Sequence, residues 1–134
     1  MSKIEFEEVG QKFHTLAGET IALQELSFAI NEGEFISLVG PSGCGKSTTL
    51  SLISGLLSPS SGQVLIDGQK VQGINQRVGY MLQEDYLFPW RTILDNVLLS
   101  LELKSKLNDT TYQRAKQLLA DYGLKEFEDY YPDQ

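Results

Sequence analysis

The chain has 134 residues, 41% of them hydrophobic, and a formal net charge of -7 at pH 7. That is one domain's length with material for a modest core, and the acidic balance argues against a nucleic-acid surface, which would carry a basic stripe. No apolar run reaches membrane-spanning length, the first residues lack a signal-peptide pattern, and the one cysteine, Cys44, excludes an internal disulfide and suits a reducing compartment, so a cytoplasmic protein is expected.

In chain order, residues 3–9 (K-I-E-F-E-E-V) alternate polar and apolar, the period of a strand with one wet face. Residues 21–30 predict a second strand with Leu26, Phe28 and Ile30 on one face, and Gly18-Glu19-Thr20 reads as a hairpin-like connection. Asn31-Glu32-Gly33-Glu34 is a turn that feeds Phe35-Ile36-Ser37-Leu38-Val39, a short apolar segment expected to be a buried strand. Next comes Gly40-Pro41-Ser42-Gly43-Cys44-Gly45-Lys46-Ser47-Thr48, which fits the phosphate-binding pattern G-x-x-x-x-G-K-S/T at every fixed position. Residues 47–54 read as a short helix that Gly55 stops. Strand, glycine-rich loop and helix form the context that the motif needs.

The residue types follow from the charge to be gripped. Successive backbone N–H groups in a tight loop make a concave anion nest, and the following helix adds unpaired donors and a positive dipole end. Gly40, Gly43 and Gly45 let the backbone approach phosphate oxygens. Lys46 supplies a mobile charge for the β and γ phosphates, Ser47 offers a hydroxyl to Mg²⁺, and Thr48 adds one near the α phosphate. Cys44 could be a nucleophile with a pKa lowered by Lys46 and the loop donors. No base accompanies it, because the only histidine is His14, so a small loop residue is the favoured reading.

Beyond the loop, Ser58-Pro59-Ser60-Ser61-Gly62 is irregular, residues 63–67 predict a strand, and Asp67-Gly68 signals a turn. Val64-Leu65-Ile66-Asp67 is an apolar run ending in an aspartate, which with Gly68 after it is read as a strand running into a β-turn and not as a metal site. Residues 77–82 predict a further strand ending at Gln83, and residues 84–90 an aromatic loop. Thr92 and Asp95 start a helix running to about Leu103. Asn108 or Asp109 caps another, whose Tyr112, Ala115, Leu118, Leu119 and Tyr122 share one face. Gly123 ends it, and Leu124 and Phe127 anchor the tail.

Several longer stretches resemble the ATP-binding subunits of ABC transporters: the loop itself, G-L-L-S-P-S-S-G-Q-V-L-I-D-G over residues 55–68, Gln83 with its acidic and aromatic sequel, and L-F-P-W-R-T-I-L-D-N-V over residues 87–97. The last is most similar to the nitrate, sulfonate and taurine importers. The resemblance implies an α/β fold, a P-loop NTPase core with an N-terminal antiparallel β subdomain and the start of a helical subdomain. It divides the chain into 1–90 and 91–134. It also implies roles. Phe13 falls where an aromatic ring stacks on adenine, although a strand-end core residue is the plain alternative; such stacking contributes on the order of 1–3 kcal/mol and tolerates any base. Gln83 would ligand Mg²⁺ or position water beside Lys46. Phe88, Pro89 and Trp90 would border a groove for a transmembrane permease, and a second ATPase protomer would complete the site.

The implied function is ATP binding, and in the complete protein ATP hydrolysis, for an importer of a small solute such as nitrate, sulfonate or taurine, peripheral on the inner face of the cell membrane. A non-transport ATPase switch acting on ribosomes or DNA is the alternative; a small-molecule kinase would need an acceptor site and lid that the sequence does not suggest. The chain ends at Tyr130-Tyr131-Pro132-Asp133-Gln134, where the family continues into its L-S-G-G signature. Hydrolysis needs groups beyond the phosphate loop to orient water and stabilise developing charge. The 134 residues alone are therefore expected to bind Mg·ATP weakly or not at all and to show negligible turnover. Phosphate release well above that of a Lys46→Ala control would refute this.

Overall fold

The computed structural model describes residues 2–16, 18–84 and 86–134. They form two compact units, Met1–Met81 and Leu82–Gln134. The first contains β1 (Ser2–Thr15), β2 (Gly18–Asn31), α1 (Lys46–Ser54), β3 (Ser61–Ile66) and β4 (Gln69–Lys70). The sheet order is β2-β1-β3-β4, and every neighbouring pair is antiparallel. Both long strands outrun their predicted lengths. Gly18 pairs with Thr15 and Thr20 with Phe13, so the expected Gly18-Glu19-Thr20 connection lies within the paired strand β2, and the chain reverses before Gly18.

Alternation breaks in this hairpin because its register slips between Phe6 and Val9 and again between Val9 and Lys12. Glu8 takes a φ of 48°, and its N–H donates to Ser27 Oγ at 2.9 Å instead of to a ladder carbonyl. Extra residues of this kind bend and twist a strand. The inward set is Phe6, Val9 and Val64, which bury together with Leu52 of α1; Phe6 stacks on Phe28 at 4.5 Å between ring centres. Complete burial of a leucine such as Leu52 contributes about 1.5–3 kcal/mol.

α1 is positioned by a close approach at its start. Gly45, with φ 92°, is its N-cap. A Cβ there would lie 2.6 Å from Leu23 Cδ2 and 2.7 Å from the Ala22 carbonyl oxygen, both on β2. Only glycine meets both the left-handed backbone and the contact with the sheet. At the far end the Gly55 N–H donates back to the Leu52 carbonyl at 3.3 Å, closing the helix where the sequence stops it.

Two expected strands are not strands. Residues 35–39 and 77–82 join no ladder among the described residues. A strand is defined by a partner for its N–H and C=O groups, and the antiparallel sheet offers these segments none. Phe35 and Val39 are consequently 94% and 93% exposed. Ile36 and Leu38 from the first segment, with Tyr80 from the second, face Ile4, Phe28 and Ile53 across an apolar cleft of about 300 Å³. The Asp67-Gly68 turn is as expected: both residues have positive φ, 51° and 70°, and they join Ile66 to Gln69 as a two-residue hairpin loop.

The second unit pairs α2 (Ile93–Leu103) with α3 (Asp109–Asp121), followed by a 3-10 turn, Lys125–Phe127. Leu94 and Leu98 pack on Ala115 and Leu119. Thr92 Oγ1 caps α2 by accepting from Asp95 N at 3.1 Å, and the Ile93 and Leu94 N–H groups donate to the Tyr130 and Glu128 carbonyls at 2.9 and 3.0 Å. Asn108 caps α3 in a reciprocal box with Thr111. The expected stripe of α3 narrows at its ends, for Tyr112 and Tyr122 are exposed, while Ala115 and Leu119 are buried.

Two outcomes follow from these contacts. Gly45→Ala will lose more stability than Gly43→Ala in urea titrations: both pay about 1–2 kcal/mol for a left-handed alanine, but only position 45 also collides with β2, since nothing lies within 4 Å of a Cβ at Gly43. Equal losses would refute the close approach. The second concerns Asp67, whose carboxylate accepts from Lys3 Nζ at 2.7 Å and from Arg77 Nη1 at 3.4 Å. The Lys3 hydrogen bond, with the nearby charges of Lys3 and Arg77, holds the carboxyl below its ordinary 3.8. A group with a lowered folded pKa adds stability that is complete above the ordinary value and lost as pH falls through the folded one. Stability of the wild type will therefore decline more than that of Asp67→Asn between about pH 5 and pH 2, and added salt will shrink the difference because the pair is exposed. Parallel pH profiles would refute it.

Candidate functional site

The loop from Gly40 to Thr48 links the ladderless 35–39 segment to α1. The Lys46 ammonium is turned back into the loop: Nζ donates to the Gly40 and Pro41 carbonyls at 2.8 and 2.6 Å and lies 3.4 Å from Cys44 Sγ. The Cys44 N–H donates to the Pro41 carbonyl at 3.5 Å, which tightens the same curve. A Cβ at Gly40 would come within 2.7 Å of Cys44 Sγ, so a side chain there would turn that thiol aside. Four residues of the motif are thus brought together: Gly40, Pro41, Cys44 and Lys46. Cys44 is exposed with Lys46 beside it, and no histidine or carboxylate is hydrogen-bonded to its sulfur among the described residues.

The start of α1 differs from the other two helix starts. Thr92 and Asn108 fill the donors of α2 and α3, but among the described residues no side chain caps α1, and its first turn holds no acidic residue. The Thr49 N–H is the first to find a helical partner, the Gly45 carbonyl at 2.8 Å, and Thr49 Oγ1 donates to that same oxygen at 3.0 Å. The earlier N–H groups are open to an anion. Ser47 is exposed and Thr48 half-buried in this first turn, while Ser42 and Gly43 lie exposed in the loop.

Phe13 is partly exposed on β1, opposite Thr20. Two residues along β2 is Ala22, whose carbonyl abuts Gly45, so the strand carrying Phe13 and the start of α1 are tied to the same stretch of β2. The neighbours of Phe13 are polar: Glu19 accepts from Lys12 Nζ at 2.9 Å and lies 3.6 Å from His14 Nδ1. The Lys12 hydrogen bond, with the Lys12 and His14 charges, holds the Glu19 carboxyl below the usual range.

Gln83 belongs to the second unit, exposed in a bend before Glu84; Asp85, in the expected aromatic loop, lies outside the described residues. Phe88, Pro89, Trp90 and Arg91 form a turn closed by Arg91 N donating to the Phe88 carbonyl at 3.0 Å. The Phe88 and Trp90 rings sit 5.0 Å apart, and Trp90 is 70% exposed. Two connections escaped the sequence reading. One is the internal pairing of Lys46, which no pattern of residue types encodes. The other is Asn96, whose amide bonds this turn to α2; the available signal was a polar residue interrupting the apolar run I-L-D-N-V-L-L.

Among the described residues no group of three or more His, Cys, Asp or Glu side chains could hold a metal, and no helix is long and apolar enough to cross a membrane. Comparison with known proteins places these features in a family. The family model described as ABC transporter matches residues 23–134. The uncharacterized ABC transporter ATP-binding protein YtlC of Bacillus subtilis is 42% identical over 134 residues, covering 100% of this chain and 52% of that protein. The aliphatic sulfonates import ATP-binding protein SsuB of Zymomonas mobilis is 44% identical over 116 residues, 87% of this chain and 46% of that one. The chain thus spans about half the length of the curated relatives it matches. Among solved structures, the dimeric post-hydrolysis state of the ATP-binding cassette MJ0796 bound to ADP and Pi matches with a TM-score of 0.84 at 30% identity, covering 98% of this chain and 62% of that one. Phosphate loop, antiparallel sheet and helical pair agree with these relatives, and the chain belongs to the ABC transporter family.

Proposed function

We propose that this chain carries the ATP-gripping half of an importer's motor. The observation that carries the reading is the start of α1: uncapped N–H groups and a glycine-lined loop into which Lys46 brings its charge. Those donors fit a polyphosphate. The lysine now donates to neutral carbonyl oxygens of its own loop, and a phosphate chain offers it stronger, charged acceptors. Gly40, Pro41, Ser42, Gly43, Cys44 and Gly45 supply the nest, Ser47 and Thr48 the hydroxyls, and Phe13 a stacking face for the base.

Mg²⁺ fits only as a companion of the nucleotide. By the family resemblance its protein ligands would be the Ser47 hydroxyl and the Gln83 side-chain carbonyl, two neutral oxygens, and the ion would keep phosphate oxygens and waters for its other positions. When bound it would offset phosphate charge; Lys46 and Gln83 are the residues assigned to the hydrolytic step. The import role of the SsuB relative and the resemblance of residues 87–97 support uptake of a small anion such as an aliphatic sulfonate, with Phe88, Pro89 and Trp90 against a transmembrane permease and a second protomer completing the ATP site. The net charge of -7 favours such a partner over ribosomes or DNA.

Binding of a fluorescent ATP analogue to the full-length protein tests the grip. Lys46→Ala is expected to weaken binding at least about tenfold, the scale of one lost charge-assisted contact worth ~1.5–3 kcal/mol. Unchanged affinity would sink the reading. Co-purification with ribosomes or DNA, and not with a membrane subunit, would replace the importer with the switch.

A further inference from the structure

Asn96 sits on the first turn of α2 and spends its whole side chain on the preceding loop. Its Oδ1 accepts from the Phe88 N–H at 2.8 Å. Its Nδ2 donates to the Phe88 carbonyl at 3.1 Å, the Arg91 carbonyl at 3.2 Å and the Thr92 carbonyl at 2.9 Å. One amide therefore pairs with Phe88 on both sides, as a neighbouring strand would, and closes the far end of the turn as well. Both groups of the amide are satisfied: it gives the Phe88 N–H its acceptor and the Arg91 carbonyl a donor, and it adds a second donor to the Phe88 and Thr92 carbonyls, which also accept from the Arg91 and Asn96 N–H groups. The same first turn of α2 donates from Ile93 and Leu94 to the Tyr130 and Glu128 carbonyls. A single helix end thus holds both the aromatic turn and the segment around residue 130.

We propose that Asn96 is the positioning residue for the permease contact: it fixes the Phe88–Pro89–Trp90–Arg91 turn so that the Phe88 and Trp90 rings are presented already ordered. This rests on the permease reading above. A rigid aromatic anchor binds with less conformational entropy to lose than a mobile one, so the clamp acts on affinity without touching the partner. Asn96 itself is half-buried beneath the turn. The role is specific to an amide, since the Phe88 N–H takes an acceptor from it and the Arg91 carbonyl a donor; aspartate lacks the donors and leucine, of similar size, lacks both.

The test uses the full-length protein and amide hydrogen exchange resolved at Phe88. In Asn96→Leu the Phe88 N–H is expected to exchange at least about tenfold faster, while the amides of Leu98 and Leu119 in the helix pair keep their wild-type rates. Asn96→Ala should behave alike. Capture of the membrane subunit that co-purifies with the wild type should weaken by a similar factor in both variants, and Trp90→Ala should weaken it too. Unchanged exchange at Phe88, or faster exchange spread evenly over α2 and α3, overturns the clamp and leaves a merely structural asparagine. Faster exchange at Phe88 with undiminished capture in the Asn96 variants overturns the positioning role. Undiminished capture by Trp90→Ala overturns instead the aromatic contact on which the proposal stands, and the exchange data tell the two failures apart.

Discussion

Gly45 is where the loop, the helix and the sheet meet, and its left-handed backbone pressed against Ala22 and Leu23 is the constraint on which the first unit depends. Any side chain there would push α1 off β2. With α1 displaced, Leu52 would leave the cluster it shares with Phe6, Val9 and Val64, and the core of the unit would open. The same contact aims the uncapped end of α1 at the space where Lys46 lies. Stability and site are thus served by one approach too close for a Cβ, which leaves neither free to vary without the other.

The three helix starts solve one physical problem in different ways. Every helix begins with N–H groups that lack a partner within the helix. α3 fills them with the Asn108–Thr111 box, and α2 with Thr92 and the carbonyls of Glu128 and Tyr130. α1 leaves its first donors open, and the nearest positive charge, Lys46, rests on carbonyls of the loop. Open donors cost stability at a site that binds nothing and are repaid at one that receives an anion. That contrast within one chain, independent of any motif, is what the proposed phosphate site at residues 40–48 would need.

The outer surfaces divide similarly. The apolar segment 35–39 has the composition of a strand buried on both faces yet joins no ladder, leaving Phe35 and Val39 almost fully exposed. Such a run is stable only when strands flank it. The aromatic turn at Phe88–Arg91 is exposed in a different manner, for its two ends are hydrogen-bonded to each other and to Asn96, and its two rings lie against each other. Aromatic rings exposed on a turn tied at both ends are what the proposed docking site would need.

Much was legible in the residues because the information was local. The phosphate loop is a contiguous string, α1 carries its own stop at Gly55, the caps of α2 and α3 lie within three residues of their donors, and the Asp67-Gly68 turn follows from two residues that tolerate positive φ. The family resemblance, too, sits in short runs. What the string of residues could not contain was pairing at a distance. Whether residues 35–39 become a strand depends on partners elsewhere, and the extra length of β1 and β2 depends on slips that keep pairing going past Glu8 and Glu25. The closeness of Gly45 to Leu23, the return of the Lys46 side chain onto Gly40 and Pro41, and the grip of Asn96 on Phe88 are likewise settled only when the folded backbone brings those atoms within hydrogen-bond or van der Waals reach. Residue type declares what a group can bond to; the tertiary structure decides which of the possible partners it meets.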